Sequence, residues 1–202
     1  MRNDDLEAAY AAPQVLHLLG TVVSESDPDL AVIEPWAATV NGPVLDVGSG
    51  TGRWSGRLAQ LGHDVSGLEP VESLVQLSRR TFPGVRFHRG WIADLAGSEQ
   101  RWAGILAWYS LIHLDAQQLP AALAMLRGLL EDNGTLLMSF FSGPRLMPFE
   151  HPVATAHLWP MDAMRRALVA ARFQVTDQHW DPGRPHAMIS ARARSSGGHS
   201  SG

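Results

Sequence analysis

VLDVGSGTGRWS, residues 44–55, is the stretch that decides the fold. Val44 to Val47 reads as a short apolar strand. Gly48, Gly50 and Gly52 follow it directly, and Trp54, Leu58 and Leu61 then recur at helical spacing. Glycine in such a loop permits dihedrals closed to other residues and lets a ligand lie against bare backbone, while the new helix offers unpaired N–H groups. A plain strand-to-helix turn needs far fewer glycines. The stretch Val44 to Arg57 therefore predicts an α/β domain that cradles a small nucleoside-bearing ligand.

Working outward, strands and helices alternate. Val65 to Leu68 reads as a second strand, Val71 to Arg80 as a helix ended by Pro83-Gly84, and Val85 to His88 as a third strand. GILAWYSLI, residues 104–112, holds a fourth strand without polar alternation before Ser110, as expected for one covered on both faces. Asp115 and Gln118 form a capping-box pattern ahead of a helix carrying Leu119, Leu123, Leu126 and Leu130. TLLMSFF is the fifth strand, and a last helix starting near Pro160-Met161 shows Met164, Leu168 and Ala171 on one face. Phe173 to His179 and Ala187 to Ala193 close the chain. The seven residues between them are too few for a helical crossover, so these two strands should pair antiparallel. The architecture is a doubly wound, mostly parallel α/β sheet with an antiparallel C-terminal strand. Its ligand should sit at the carboxyl ends of the strands, near the switch in strand order.

Pro35 and Gly42-Pro43 punctuate the chain before the first strand, so residues 1–41 read as a helical lead-in or cap and 42–194 as the ligand-binding domain. Residues 195–202, SSGGHSSG, read as a flexible tail. The 202 residues suit a single core. No apolar run reaches the ~18 residues of a membrane span, and the acidic start MRNDDLEAAY predicts no secretory leader. With no cysteine there are no disulfides or thiolates, which fits a cytoplasmic protein. All 16 basic residues are arginines, scattered through a chain of net charge −4, which argues against a nucleic-acid footprint. Lacking lysine, the chain has neither Schiff-base chemistry nor the lysine of a phosphate-binding loop. The nine histidines show no paired ligand spacing, so no metal is expected.

A dinucleotide site is the nearest competitor. Its G-x-G-x-x-G fingerprint fails in both registers, because the third position is Arg53 counting from Gly48 and Ser55 counting from Gly50. Asp46 beside the loop would repel a pyrophosphate and suits a ligand with an ammonium group. Glu69, at the end of the second strand in GLEP, can accept both hydroxyls of a ribose.

The loop DVGSGTG at Asp46 to Gly52, Glu69 in GLEP and AWYSLIHL at Ala107 to Leu114 resemble the class I S-adenosylmethionine-dependent methyltransferases of the small bacterial, small-molecule type. The resemblance implies a seven-stranded sheet whose seventh strand inserts antiparallel beside the fifth. It implies S-adenosyl-L-methionine as cofactor, with Gly48, Ser49, Gly50 and Gly52 against its methionine part and Glu69 on its ribose. Members commonly carry Gly-Asp after the third strand, with the acid near the adenine amino group. This chain has Gly90-Trp91, with Asp94 three residues on, so Trp91 is expected to stack on the adenine while the Ile92 backbone reads its edge.

At the mouth of such a site stand Trp108, Tyr109, Ser110 and His113. The Asn/Asp-Pro-Pro-Tyr segment of many DNA-base and protein-amide methyltransferases is absent, which favours a small-molecule acceptor. SGPRLMPFEHPVATAHLW, Ser142 to Trp159, reads as a lid over the acceptor pocket that supplies Phe149, His151, His157 and Trp159, and the helix with Tyr10 closes the other side. Transfer from a sulfonium is an in-line displacement that requires alignment more than acid–base help. The one residue expected in a catalytic role is His113, with Asp115 orienting its ring. A non-catalytic cofactor-binding module and a nicotinamide-dependent oxidoreductase stay open as alternatives, as do the acceptor atom and a monomeric or homodimeric state.

Overall fold

The computed structural model describes residues 4–180 and 183–195. The expected tail, beyond Ser195, lies outside the described residues.

Strands β1 (Val44–Val47) and β4 (Trp102–Ala107) are buried along their whole lengths and form the centre of the sheet. Parallel ladders join β1 to β2 (Val65–Glu69) and to β4, β2 to the edge strand β3 (Arg86–Arg89), and β4 to β5 (Leu130–Ser142). Beyond β5 the direction reverses. Strand β9 (His186–Ala193) lies antiparallel against β5, and β8 (Phe173–Trp180) antiparallel against β9. The seven strands run β3-β2-β1-β4-β5-β9-β8, the doubly wound sheet with an antiparallel end that the sequence predicts.

Alternation along the central strands splits the core in two. Leu45, Val47, Ile105 and Ala107 face one cluster, built with the leucines of helix α6 (Leu119–Leu129) and with Met164 and Leu168 of α7 (Met161–Ala170). Val44 and Leu106 face the other, built with Trp54 and Leu58 of α4 (Arg53–Gln60) and with Ile33, Trp36 and Ala37 of α3 (Leu30–Ala38). A period of two in a strand buried on both sides produces this division. A further helix, α5 (Glu72–Thr81), packs beside β2 and β3.

Among the described residues the lead-in holds three helices, α1 (Asp4–Tyr10), α2 (Val15–Leu19) and α3. Pro35 does not break the chain ahead of the first strand but lies inside α3, whose burial against the sheet outweighs the one backbone bond a proline forgoes. The reciprocal bonds of Asp115 and Gln118 form, with Asp115 accepting from the Gln117 and Gln118 N–H groups and Gln118 accepting from that of Asp115. They close a turn just ahead of α6.

The largest departure is at Ser142 to Trp159. The segment expected as a lid is not irregular but folds into a hairpin of β6 (Met147–Phe149) and β7 (Ala156–Trp159). Strand β7 runs parallel to β5 at Phe141 and Ser142, where β9 already holds the opposite side through His186. It therefore takes the place that β4 vacates after Ala107, and the His157 N–H donates to the Ile112 carbonyl at 2.9 Å. With it the sheet has nine strands among the described residues.

Candidate active site

The strand order reverses between β1 and β4, and the glycine loop sits at that reversal. Gly48, Gly50 and Gly52 take φ of 66°, 56° and 77°. The Gly48 and Ser49 N–H groups donate to the Leu68 carbonyl at 2.7 and 3.1 Å, which fastens the loop to the end of β2. There the Glu69 carboxylate accepts from the Gly50 N–H at 2.8 Å and the Val71 N–H at 3.0 Å. Each oxygen keeps a further lone pair. Burial pushes the Glu69 carboxyl up to about 7, although both N–H groups pull the other way. Asp46, beneath the loop, accepts from the Ser55 hydroxyl at 2.6 Å, and burial raises it to about 6.

Loop and acid face a cavity of about 400 Å³, within the range of small-molecule sites. One end is formed by Asp46, Gly48, Ser49, Gly50, Glu69 and the Trp91-Ile92 pair after β3. Asp94 accepts from the Trp91 N–H at 2.9 Å, so its carboxylate is tied to its own turn. The lead-in lies across the opening and supplies Tyr10, Leu18 and Leu19 to the wall. Polar contacts hold it there, among them the Thr51 hydroxyl donating to the Gly20 carbonyl at 2.6 Å and Arg89 pairing with Glu7 at 2.7 Å.

Aromatic rings line the other end. Tyr109 follows β4 with a φ of 53°, unusual for a residue with a side chain, and its N–H donates to the Ser139 hydroxyl at 2.8 Å. Its own hydroxyl meets His186 Nδ1 at 2.7 Å, and the neighbouring Trp108 indole donates to Asp29 at 2.7 Å. His113 Nδ1 lies 2.8 Å from the Thr155 carbonyl, which can only accept, so the proton of the neutral ring is on Nδ1. Nε2 is then an acceptor, and the Tyr10 hydroxyl donates to it at 2.8 Å. Burial is the main cause that lowers the His113 pKa, while the Thr155 carbonyl opposes it. The expectation that Asp115 orients this ring is corrected, because Asp115 is spent on the turn before α6 and a hairpin carbonyl holds the imidazole instead.

Of the expected cofactor-side residues, Tyr10, Asp46, Gly48, Ser49, Gly50, Glu69, Trp91, Ile92 and Trp108 line the cavity. Gly52 does not. It starts α4, where a Cβ would stand 2.7 Å from the Phe87 ring, so its lack of a side chain serves helix packing. On the acceptor side Tyr109, Ser110, His113 and His151 line the wall, whereas Phe149, His157 and Trp159 stand outside it. The hairpin turns Trp159 into the core and sets Phe149 edge-on behind Phe141, with 5.2 Å between ring centroids. Sequence reasoning missed Phe141, Val153 and His186. Two of these had a signal: Phe141 ends a parallel strand, and His186 begins the antiparallel strand beside it, so both fall at the ligand end of the sheet.

Residues 44–134 match a family model described as a methyltransferase domain. The solved structure of DhpI with S-adenosylhomocysteine superposes with a TM-score of 0.73 at 16% identity, covering 95% of this chain and 97% of that one. This is the class I S-adenosylmethionine-dependent methyltransferase fold. The 1,6-didemethyltoxoflavin N1-methyltransferase of Burkholderia thailandensis, solved with its acceptor and S-adenosylhomocysteine, shares the methyltransferase fold at a TM-score of 0.71 and 22% identity, over 96% of this chain and 91% of that one. The glycopeptide N-methyltransferase MtfA with S-adenosylhomocysteine shares it at 0.68 and 19%, over 91% and 98%. No curated protein sequence matches the chain. No helix among the described residues is long and apolar enough to cross a membrane.

Proposed function

We propose that the protein transfers a methyl group from S-adenosyl-L-methionine to a small molecule. The observation that carries this reading is the clasp between Glu69 and the Gly50 N–H, which sets a ribose-binding acid beside bare loop backbone at one end of a single cavity. The fit is supported by Gly50, which lines that cavity as bare backbone where an added Cβ would meet only Leu19 Cδ1 at 3.8 Å, leaving room for a ligand to lie against the loop. Solved structures of the same fold hold this cofactor or its product.

When bound, the cofactor supplies a methyl group on a sulfonium, which passes to the acceptor's lone pair as the C–S bond breaks and its electron pair stays on sulfur. The chain's own groups hold and align. Glu69 accepts the ribose hydroxyls, Asp46 places a carboxylate under the loop for the ligand's ammonium group, and Trp91 with Ile92 covers the adenine. The lead-in, residues 1–41, acts as a cap on the domain at 42–194, with α1 and α2 excluding water from the transfer. A proton lost by the acceptor passes to the Tyr10 oxygen as the Tyr10 proton moves to His113 Nε2. A weak base suffices there, because a heteroatom that has just gained a methyl group is strongly acidic.

Calorimetry with S-adenosylhomocysteine and with NAD tests the reading. Micromolar binding of the former and none of the latter is expected; the opposite pattern would make the protein a nicotinamide-dependent enzyme.

A further inference from the structure

The ring-lined end of the cavity carries an inference about the acceptor, which rests on the methyl-transfer reading for its role but not for its chemistry. Trp108, Tyr109, Phe141, His151, His113 and Tyr10 form a continuous wall. Successive ring centroids are 5.8, 5.3, 5.8, 5.6 and 5.6 Å apart, the spacing of rings in contact. His186 backs Tyr109 and Phe141 at 5.7 and 5.5 Å.

Two properties of this wall select a ligand. First, its hydroxyls and the His113 ring are already engaged. The Tyr109 hydroxyl is bonded to His186, and the Tyr10 hydroxyl to His113, whose other nitrogen is bonded to Thr155. A sugar or peptide, rich in groups that need partners, would lose hydrogen bonds to water that the wall does not replace. Second, the wall offers no free cation. Arg53 is the one arginine lining the cavity among the described residues, and Asp27 holds it at 2.7 Å. Burial lowers the pKa of His113 and of His151 and so disfavours their charged forms. Carboxylates and phosphates thus meet no counter-charge, and a cationic acceptor would be repelled by the sulfonium beside it.

We propose that this end of the cavity takes a flat, uncharged aromatic molecule whose methyl-accepting atom is a ring-borne hydroxyl or amine. Such a ligand stacks its face on Tyr109 and Phe141 and presents one polar hydrogen to the Tyr10–His113 pair.

Three probes of matched shape test it: 2-naphthol, its saturated counterpart decahydro-2-naphthol, and 2-naphthoate, repeated as phenol, cyclohexanol and benzoate so that size is separated from class. Each is titrated by calorimetry into the protein with and without saturating S-adenosylhomocysteine. The arm without it reads the wall even if that product fails to bind, which would count against methyl transfer and not against the wall. In at least one size class the aromatic alcohol should bind at least tenfold more tightly than both its saturated and its anionic counterpart. Phe141→Leu should erase the preference over the saturated alcohol while leaving S-adenosylhomocysteine affinity within twofold. Equal or tighter binding of the saturated or the anionic probe in both size classes, or a preference that survives Phe141→Leu, overturns the proposal.

Discussion

Gly50→Ala separates ligand recognition from folding. A Cβ on Gly48 would stand 2.5 Å from Ser110 Cβ, and one on Gly52 2.7 Å from the Phe87 ring, so both substitutions disturb packing before any ligand arrives. On Gly50 the nearest atom is Leu19 Cδ1 at 3.8 Å, an ordinary contact, and Leu19 and Gly50 both line the cavity. The cost to folding is thus the left-handed backbone alone. At a φ of 56° that is about 1–2 kcal/mol for an L residue. For a domain of this size it lowers Tm by roughly 2–8 °C and leaves the protein folded at 25 °C. The added methyl fills space assigned to the methionine part of the cofactor. S-adenosylhomocysteine affinity should therefore fall at least tenfold, about 1.4 kcal/mol, by calorimetry on protein whose Tm is read in parallel. A lowered Tm with affinity unchanged within twofold would refute the placement of the loop against the ligand.

Replacing Glu69 with Gln sets an amide N–H against one of the two backbone N–H groups and weakens the charged acceptor for the ribose. It should cost about 1.5–3 kcal/mol in S-adenosylhomocysteine binding, and a 2′,3′-dideoxy analogue should show little further loss in the variant. Because burial raises Glu69 from 4.5 to about 7 and Asp46 from 3.8 to about 6, the folded free protein binds more protons than the unfolded chain between those values. Its stability should accordingly fall as pH rises through that window, less steeply in Glu69→Gln, in urea unfolding followed from about pH 4.5 to about pH 8. Affinity for S-adenosylhomocysteine should move the opposite way and rise with pH, since the ribose prefers the ionised acid; a flat profile would contradict the assignment. His113→Ala should lower kcat roughly 10²-fold on an accepted substrate with little change in cofactor affinity. The acid limb of the parent's kcat/KM profile should lie below the ordinary imidazole value, following the direction of the burial shift, and a variant keeping both rate and limb would make His113 structural.

The fold was legible because its central signals are local. A strand, three glycines and an amphipathic helix within Val44 to Gln60, followed by apolar runs at strand length, leave few topologies open. The same locality exposed Glu69 and the residues after β4. Three things were not local. The hairpin of β6 and β7 is held by pairing to the end of β5, and strands of three and four residues, with Pro148 in the first and Pro152 between them, carry no readable period. The Tyr10–His113 bond spans 103 positions, so Asp115, two residues away, was the partner that sequence suggested. Phe141 and His186 read as ordinary strand residues until register placed them side by side at the ligand end. Pro35 shows the converse, a strong local breaker overridden by the burial of Ile33, Trp36 and Ala37.

The most direct test of the account is a crystal structure of the protein grown with saturating S-adenosylhomocysteine. The product should lie in the cavity between the glycine loop and the lead-in. Both ribose hydroxyls should lie within about 3 Å of the Glu69 carboxylate, and the sulfur should face the ring-lined end. An empty cavity at saturation, or a ribose held away from Glu69, would contradict it.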